Sequence, residues 1–149
     1  EPLGAGRGRG MAARIYSVSP IAQAVEVSVA DNGDFTIDRV VCVLDCGFAV
    51  NPLGIEGQVE GGIAFGLGGA AFGNIDIVNG EVQQSNFHDY PLLRLSEAPD
   101  IDVHIVDSNA APTGVGEPGV PPIAPAVANA IFAATGKRLR QLPLRLDRA

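Results

Sequence analysis

Tryptophan is absent from this sequence, methionine occurs once, and aromatic residues make up 5% of the chain. Cysteine is nearly absent too, with Cys42 and Cys46 alone. Both fall on one expected strand, four residues apart and so about 13 Å from each other at strand rise. A disulfide needs Cα atoms within about 7 Å, and two ligands do not make a zinc site, so the pair reads as small buried hydrophobes. No apolar run reaches the roughly 20 residues that cross a bilayer, so no membrane span is expected. Basic residues are outnumbered, 10 against 17 acidic, for a net charge of -7. An acidic surface repels phosphate backbones and argues against nucleic acid as a partner. The cations gather at the ends, at Arg7, Arg9 and Arg14 and again over 137–148, and read as solvated termini. There is no positively charged start followed by an apolar stretch. The chain opens on Glu1 rather than Met, which reads as a cut or processed end, leaving any targeting signal and the compartment outside the sequence.

What is abundant is glycine (19) and proline (11), a loop-rich and tightly packed composition, while 46% hydrophobic residues exclude disorder. The 149 residues suit one domain, or a piece of a larger one, able to bury roughly two-thirds of its unfolded surface. Residues 1–10, EPLGAGRGRG, lack periodicity and are expected to form a flexible arm that enters a first strand near Met11. Over 21–30 apolar and polar residues alternate, with Val25, Val27 and Val29 on one side and Glu26 and Ser28 on the other. Asn32-Gly33 is a hairpin turn signal, and 35–45 is the returning strand. Asn51-Pro52 marks a helix start, Asn as N-cap and Pro in the first position. In the helix that follows, seven glycines fall between Gly57 and Gly73. Gly62, Gly66, Gly69 and Gly73 keep helical spacing and leave a bare stripe. Each interior glycine costs about 1 kcal/mol against alanine, so the stripe has to gain from close approach, either tight packing or room for a cofactor. A second hairpin is expected over 74–84 around Asn79-Gly80, a strand over 101–107, a helix over 123–135 closed by Gly136, and a last short strand over 139–144. No solenoid-period repeat is present. The order predicts a single α+β domain with a mostly antiparallel sheet and two main helices, about 52–72 and 122–135, on one face.

The loop TGVGEPGVPP over 113–122 is the most specific feature. Glu117 sits between Gly116 and Pro118, just upstream of a helix. The prolines stiffen the backbone and the glycines let another group come close. Such a carboxylate either caps the helix or is pointed into a cavity and held there, as a general base requires. Gln58, early in the glycine helix, shares a face with Gly62 and Phe65; its amide either faces solvent or binds a polar ligand as both donor and acceptor. Glu60 reads as a surface carboxylate or an arginine partner, and the lone His88 and His104 read as structural. GLGGAA over 66–71 matches G-x-G-x-x-A, but inside a helix rather than at a strand-to-helix turn, and is rejected as a dinucleotide site.

These residues carry a family resemblance. D-C-G-x-x-x-N-P over 45–52, G-Q-V-E-G-G over 57–62, N-F-H-D-Y-P-L-L-R over 86–94, G-V-G-E-P-G over 114–119 and PPIAPAVANAIFAATGKR over 121–138 resemble the xanthine dehydrogenase and aldehyde oxidase family. The likeness is strongest to the molybdopterin-binding large (beta) subunits of the isoquinoline 1-oxidoreductase type. It runs from about Gly6 onward and places the chain in the C-terminal portion of such a subunit.

The resemblance implies a molybdenum hydroxylase that oxidises aldehydes or N-heterocycles with oxygen derived from water. It implies that Glu117 is the general base acting on the hydroxide at molybdenum, that Gln58 contacts the pterin of the molybdopterin cofactor, and that Gly116 lies at the pocket wall. No side chain of this chain is implied as a metal ligand. The implied partners are the remainder of the molybdopterin-binding subunit, a [2Fe-2S] subunit or domain that carries electrons away, and the small-molecule substrate. Family large subunits are several times longer and hold their other cofactor loops upstream. A chain of this length is therefore expected to bind no molybdopterin alone and to turn over nothing. The competing expectation is a non-catalytic interaction domain that keeps the fold; intact Glu117 and Gln58 favour the enzyme.

Overall fold

The computed structural model describes residues 3–146. Strands β1 (Arg7–Tyr16), β2 (Ser19–Val29) and β3 (Phe35–Leu44) are followed by helix α1 (Pro52–Ala71), the short pair β4 (Ile77–Val78) and β5 (Glu81–Val82), then β6 (Asp100–Ile105) and helix α2 (Ile123–Thr135). The main sheet has the order β1-β2-β3-β6, antiparallel except for the parallel β3–β6 edge. The mostly antiparallel α+β arrangement is the one expected. β4 and β5 form a separate ribbon around Asn79-Gly80.

Alternation decides which face is covered. Ile21, Val25 and Val27 of β2 and Val40, Cys42 and Leu44 of β3 point to one side and are buried. Val59, Ile63 and Leu67 of α1 and Ile123, Val127 and Ile131 of α2 close over them in one core. Burying each such aliphatic side chain contributes about 1.5–3 kcal/mol. The register slips once, with Glu26 opposite Arg39 and Val27 opposite Ile37, so Asp38 is the extra residue of a bulge. The Asp38 carboxylate accepts from Ser28 Oγ at 2.6 Å and from Arg7 at 3.3 Å. Arg9 pairs with Glu26, so two of the N-terminal cations are engaged in ion pairs rather than simply solvated. Arg148, in the C-terminal basic cluster, lies outside the described residues, as do residues 1 and 2.

Three expectations are corrected. Residues 7–10, expected in a flexible arm over 1–10, belong to strand β1, which begins at Arg7. Gly8 and Gly10 are the reason: on the inward face of β1 they let α2 lie directly on the strand, where a Cβ would overlap the backbone of Ala126, Ala130 and Ala134. Residues 139–144 form no strand. Pro143 has no N–H to give to a ladder, and Leu144 N instead donates to Ala70 O at 2.8 Å, closing the end of α1 while Leu144 and Leu146 fill the core margin. Finally, β3 stops at Leu44, so Cys46 lies in the following loop; both cysteines are free and buried. Burial pushes the Cys42 thiol up to about 11.

Helix α1 starts as its sequence predicts, with Asn51 Oδ1 accepting from Gly54 N at 3.1 Å and Pro52 in the first turn. Its glycine stripe divides into two kinds. Gly62 and Gly66 press against the segment before α2: a Cβ on Gly66 would lie 3.0 Å from Val120 O and against Ile123. Gly57, Gly61, Gly68 and Gly69 face open space. Gly66→Ala is therefore expected to destabilise the chain by about 1–3 kcal/mol. Gly69→Ala, relieved of the glycine penalty, is expected to stabilise it by about 1 kcal/mol. Thermal unfolding of the two variants checks both signs.

Candidate active site

The loop between β6 and α2 is fixed at several points before it presents a side chain. Phe48 N donates to Ala110 O and Thr113 N to Cys46 O, each at 2.9 Å, tying the loop to the segment after β3. Ser19 Oγ meets Thr113 Oγ1 at 2.7 Å and donates to Gly114 O at 2.8 Å. Gln23, 1% exposed in the core face of β2, donates from Nε2 to Gly119 O at 2.9 Å. Its Oε1 has no hydrogen-bond partner among the described residues. The turn itself closes with Val120 N donating to Glu117 O at 3.0 Å. Gly119 rests on the backbone of α1, where a Cβ would lie 2.8 Å from Val59 O, and it faces Gly62. Glycine meets glycine there, which lets a stiff Pro118-containing turn sit flush on the helix.

This seating brings together the residues singled out from the sequence. Gln58, Gly61, Phe65, Gly116, Glu117 and Val120 line a cavity of about 320 Å³ between α1 and the loop. Gln58 Oε1 lies 4.0 Å from the point a Cβ on Gly116 would occupy. Glu117 is an exposed side chain, not a helix cap, and Gln58 is exposed beside it. Tyr16 donates its hydroxyl to Glu117 Oε2 at 2.7 Å. That hydrogen bond to the carboxylate, with the carboxylate's charge, holds the Tyr16 phenol above its usual value. The Arg14 guanidinium lies over the Tyr16 ring, 5.8 Å from its centre. His88 pairs with Asp89 at 3.5 Å and His104 sits on β6, and neither lines the cavity. Among the described residues no three His, Cys, Asp or Glu side chains are gathered as a metal-binding group.

Tyr16, Ser19 and Gln23 belong to no motif in the sequence. Their partners lie 101, 94 and 96 residues away along the chain, beyond any local pattern. One signal was available: Ser19 and Gln23 fall in phase with Ile21, Val25 and Val27, so two polar side chains occupy inward positions of a strand and require partners.

The fold and site define an α+β layer with an open cavity at its edge: a helix wall bare of side chains at Gly57 and Gly61, the exposed amide of Gln58, and the Glu117 carboxylate on the loop before α2. The chain belongs to the molybdopterin cofactor-binding domain family, whose sequence model matches residues 5–99. The beta subunit of isoquinoline 1-oxidoreductase from Brevundimonas diminuta is 39% identical over 143 residues, 95% of this chain and 18% of that subunit. The aldehyde oxidoreductase of Desulfovibrio gigas superposes with a TM-score of 0.71 at 27% identity, covering 84% of this chain and 14% of that one. Quinoline 2-oxidoreductase of Pseudomonas putida 86 has the same fold, with a TM-score of 0.78 at 22% identity over 84% of this chain. The chain thus spans less than a fifth of the length of the relatives it matches. No helix among the described residues is long and apolar enough to cross a membrane.

Proposed function

We propose that this chain supplies the general base and part of the cofactor wall of a molybdenum hydroxylase acting on aldehydes or N-heterocycles. The observation that carries the reading is the convergence of Glu117, Gln58 and Gly116 on one cavity from two separate elements. The residues fit a pterin. Gly57 and Gly61 put no side chain into the space beside Gln58, so a flat ring can approach the helix backbone. The Gln58 amide can both donate to and accept from a heterocycle edge.

A molybdenum cofactor held beside Gln58 would supply the two-electron acceptor and the water-derived oxygen that the oxidation needs. Glu117 accepts the proton that this oxygen loses, held in place by the turn closed at Val120 and by the Tyr16 hydroxyl. Gly116 keeps the approach to that carboxylate free of side-chain atoms. The family resemblance implies a [2Fe-2S] subunit or domain as the electron-accepting partner in the complete enzyme. The cavity is walled here by one helix and one loop, and the remainder of the molybdopterin-binding subunit closes it. This chain alone therefore retains no molybdopterin.

Molybdenum and pterin content per subunit tests the assignment. In the complete subunit Gln58→Ala is expected to weaken pterin retention about 5- to 10-fold, the loss of roughly one hydrogen bond. Glu117→Gln is expected to leave content normal. Full retention in Gln58→Ala rejects the contact, and stoichiometric molybdenum on the isolated 149-residue chain rejects the partial-site reading.

A further inference from the structure

We infer that Tyr16 is a positioning residue for Glu117: its hydroxyl holds one carboxylate oxygen so that the other faces the cavity. The inference rests on the reading of Glu117 as the base. The bond is 2.7 Å long, from Tyr16 Oη to Glu117 Oε2. It occupies that oxygen and leaves Oε1 for the reacting proton. A carboxylate on the surface of a turn otherwise rotates freely about its side-chain torsions. A base that has to meet a proton in one geometry loses rate when it does.

The hairpin that delivers Tyr16 is built at a cost. Ser17 and Val18 both have positive φ, 47° and 69°. That left-handed region is costly for a side chain branched at Cβ. Two such residues make the tightest hairpin turn, and they set Tyr16 directly opposite Ser19. A slip of one residue would turn Tyr16 to the outer face of the sheet. In the register observed, Tyr16 and Ser19 share the inward side. One binds Glu117 and the other binds Thr113 and Gly114. The hairpin tip thus grips the loop on both sides of Gly116. Arg14, on the same face of β1, is the further charged group at the Tyr16 ring, and its cation opposes the upward shift of the phenol.

Two measurements test the assignment. The first uses this chain. In a Tyr90→Phe background Tyr16 is the single tyrosine, and its ionisation is followed by tyrosinate absorbance. Adding Glu117→Gln is expected to move the phenol down toward its ordinary value, because the neighbouring carboxylate charge is gone. An unchanged titration overturns the contact and the proposal with it. The second uses the complete molybdenum-loaded enzyme. Tyr16→Phe is expected to lower kcat roughly 10- to 100-fold, with KM and molybdenum content unchanged. Wild-type kcat in that variant overturns the proposal, and so does a change confined to KM. If Tyr16→Phe does not fold, the titration decides. The two readings fail separately. An inactive Glu117→Gln beside a fully active Tyr16→Phe removes Tyr16 alone. A fully active Glu117→Gln removes the base, and the positioning role falls with it.

Discussion

Replacing Glu117 by glutamine in the complete enzyme is expected to lower kcat by about two to four orders of magnitude, the contribution of a positioned general base. The amide has the shape of the carboxylate and keeps an oxygen for Tyr16 to donate to at the same place. It takes up no proton near neutral pH. The turn from Glu117 to Val120 is closed by backbone atoms, with Pro118 and Gly119 buried beneath it, so the substitution leaves the loop seated. KM is therefore expected to change little, the signature of an interaction made in the transition state and not in the ground state. Molybdenum content and the steady-state parameters, measured on the same preparation, check this. Turnover within a factor of a few of wild type would reject Glu117 as the base. Loss of molybdenum along with turnover would instead mark it as a residue that holds the cofactor wall.

Much of this candidate site is legible in the sequence. Gly116, Glu117 and Pro118 form a local pattern, stiff on one side and bare on the other, and local chemistry is what a sequence displays directly. The strands over 21–30 and 35–45 were legible for the same reason, since alternation is local and one buried face enforces it. The glycine stripe was only half legible. Helical spacing groups Gly62, Gly66 and Gly69 together, but packing separates them, because the loop before α2 covers the first two and leaves the third open. β1 was missed over its first residues because Gly8 and Gly10 remove the side-chain alternation that marks a strand. Their role is set by α2, more than a hundred residues later, and nothing within a local window reveals that helix above them. Tyr16 was hidden in the same way: its partner is reached through the tertiary fold alone.

That long-range dependence sets the second large effect, expected at Gly10. Gly10→Val in this chain is expected to remove about 3 kcal/mol or more of stability, a large part of the roughly 5–15 kcal/mol a domain possesses. The new side chain would enter the backbone of α2 at Ala126 and Ala130. A clash with a flexible side chain is relieved by a change of rotamer, but a helix backbone has no rotamers and must move as a body. α2 contributes Ile123, Val127 and Ile131 to the core, so its displacement opens the packing under both helices. The loop carrying Glu117 runs directly into its first turn, so the base would shift together with the helix. Met11, the next residue, gives the control: it points to the outer face and is 64% exposed. Met11→Val keeps the strand and is expected to stay within about 0.5 kcal/mol of wild type. Denaturant unfolding of the two variants separates a glycine required by close approach from an ordinary edge-strand position. Equal midpoints would mean that α2 does not lie on β1 as described.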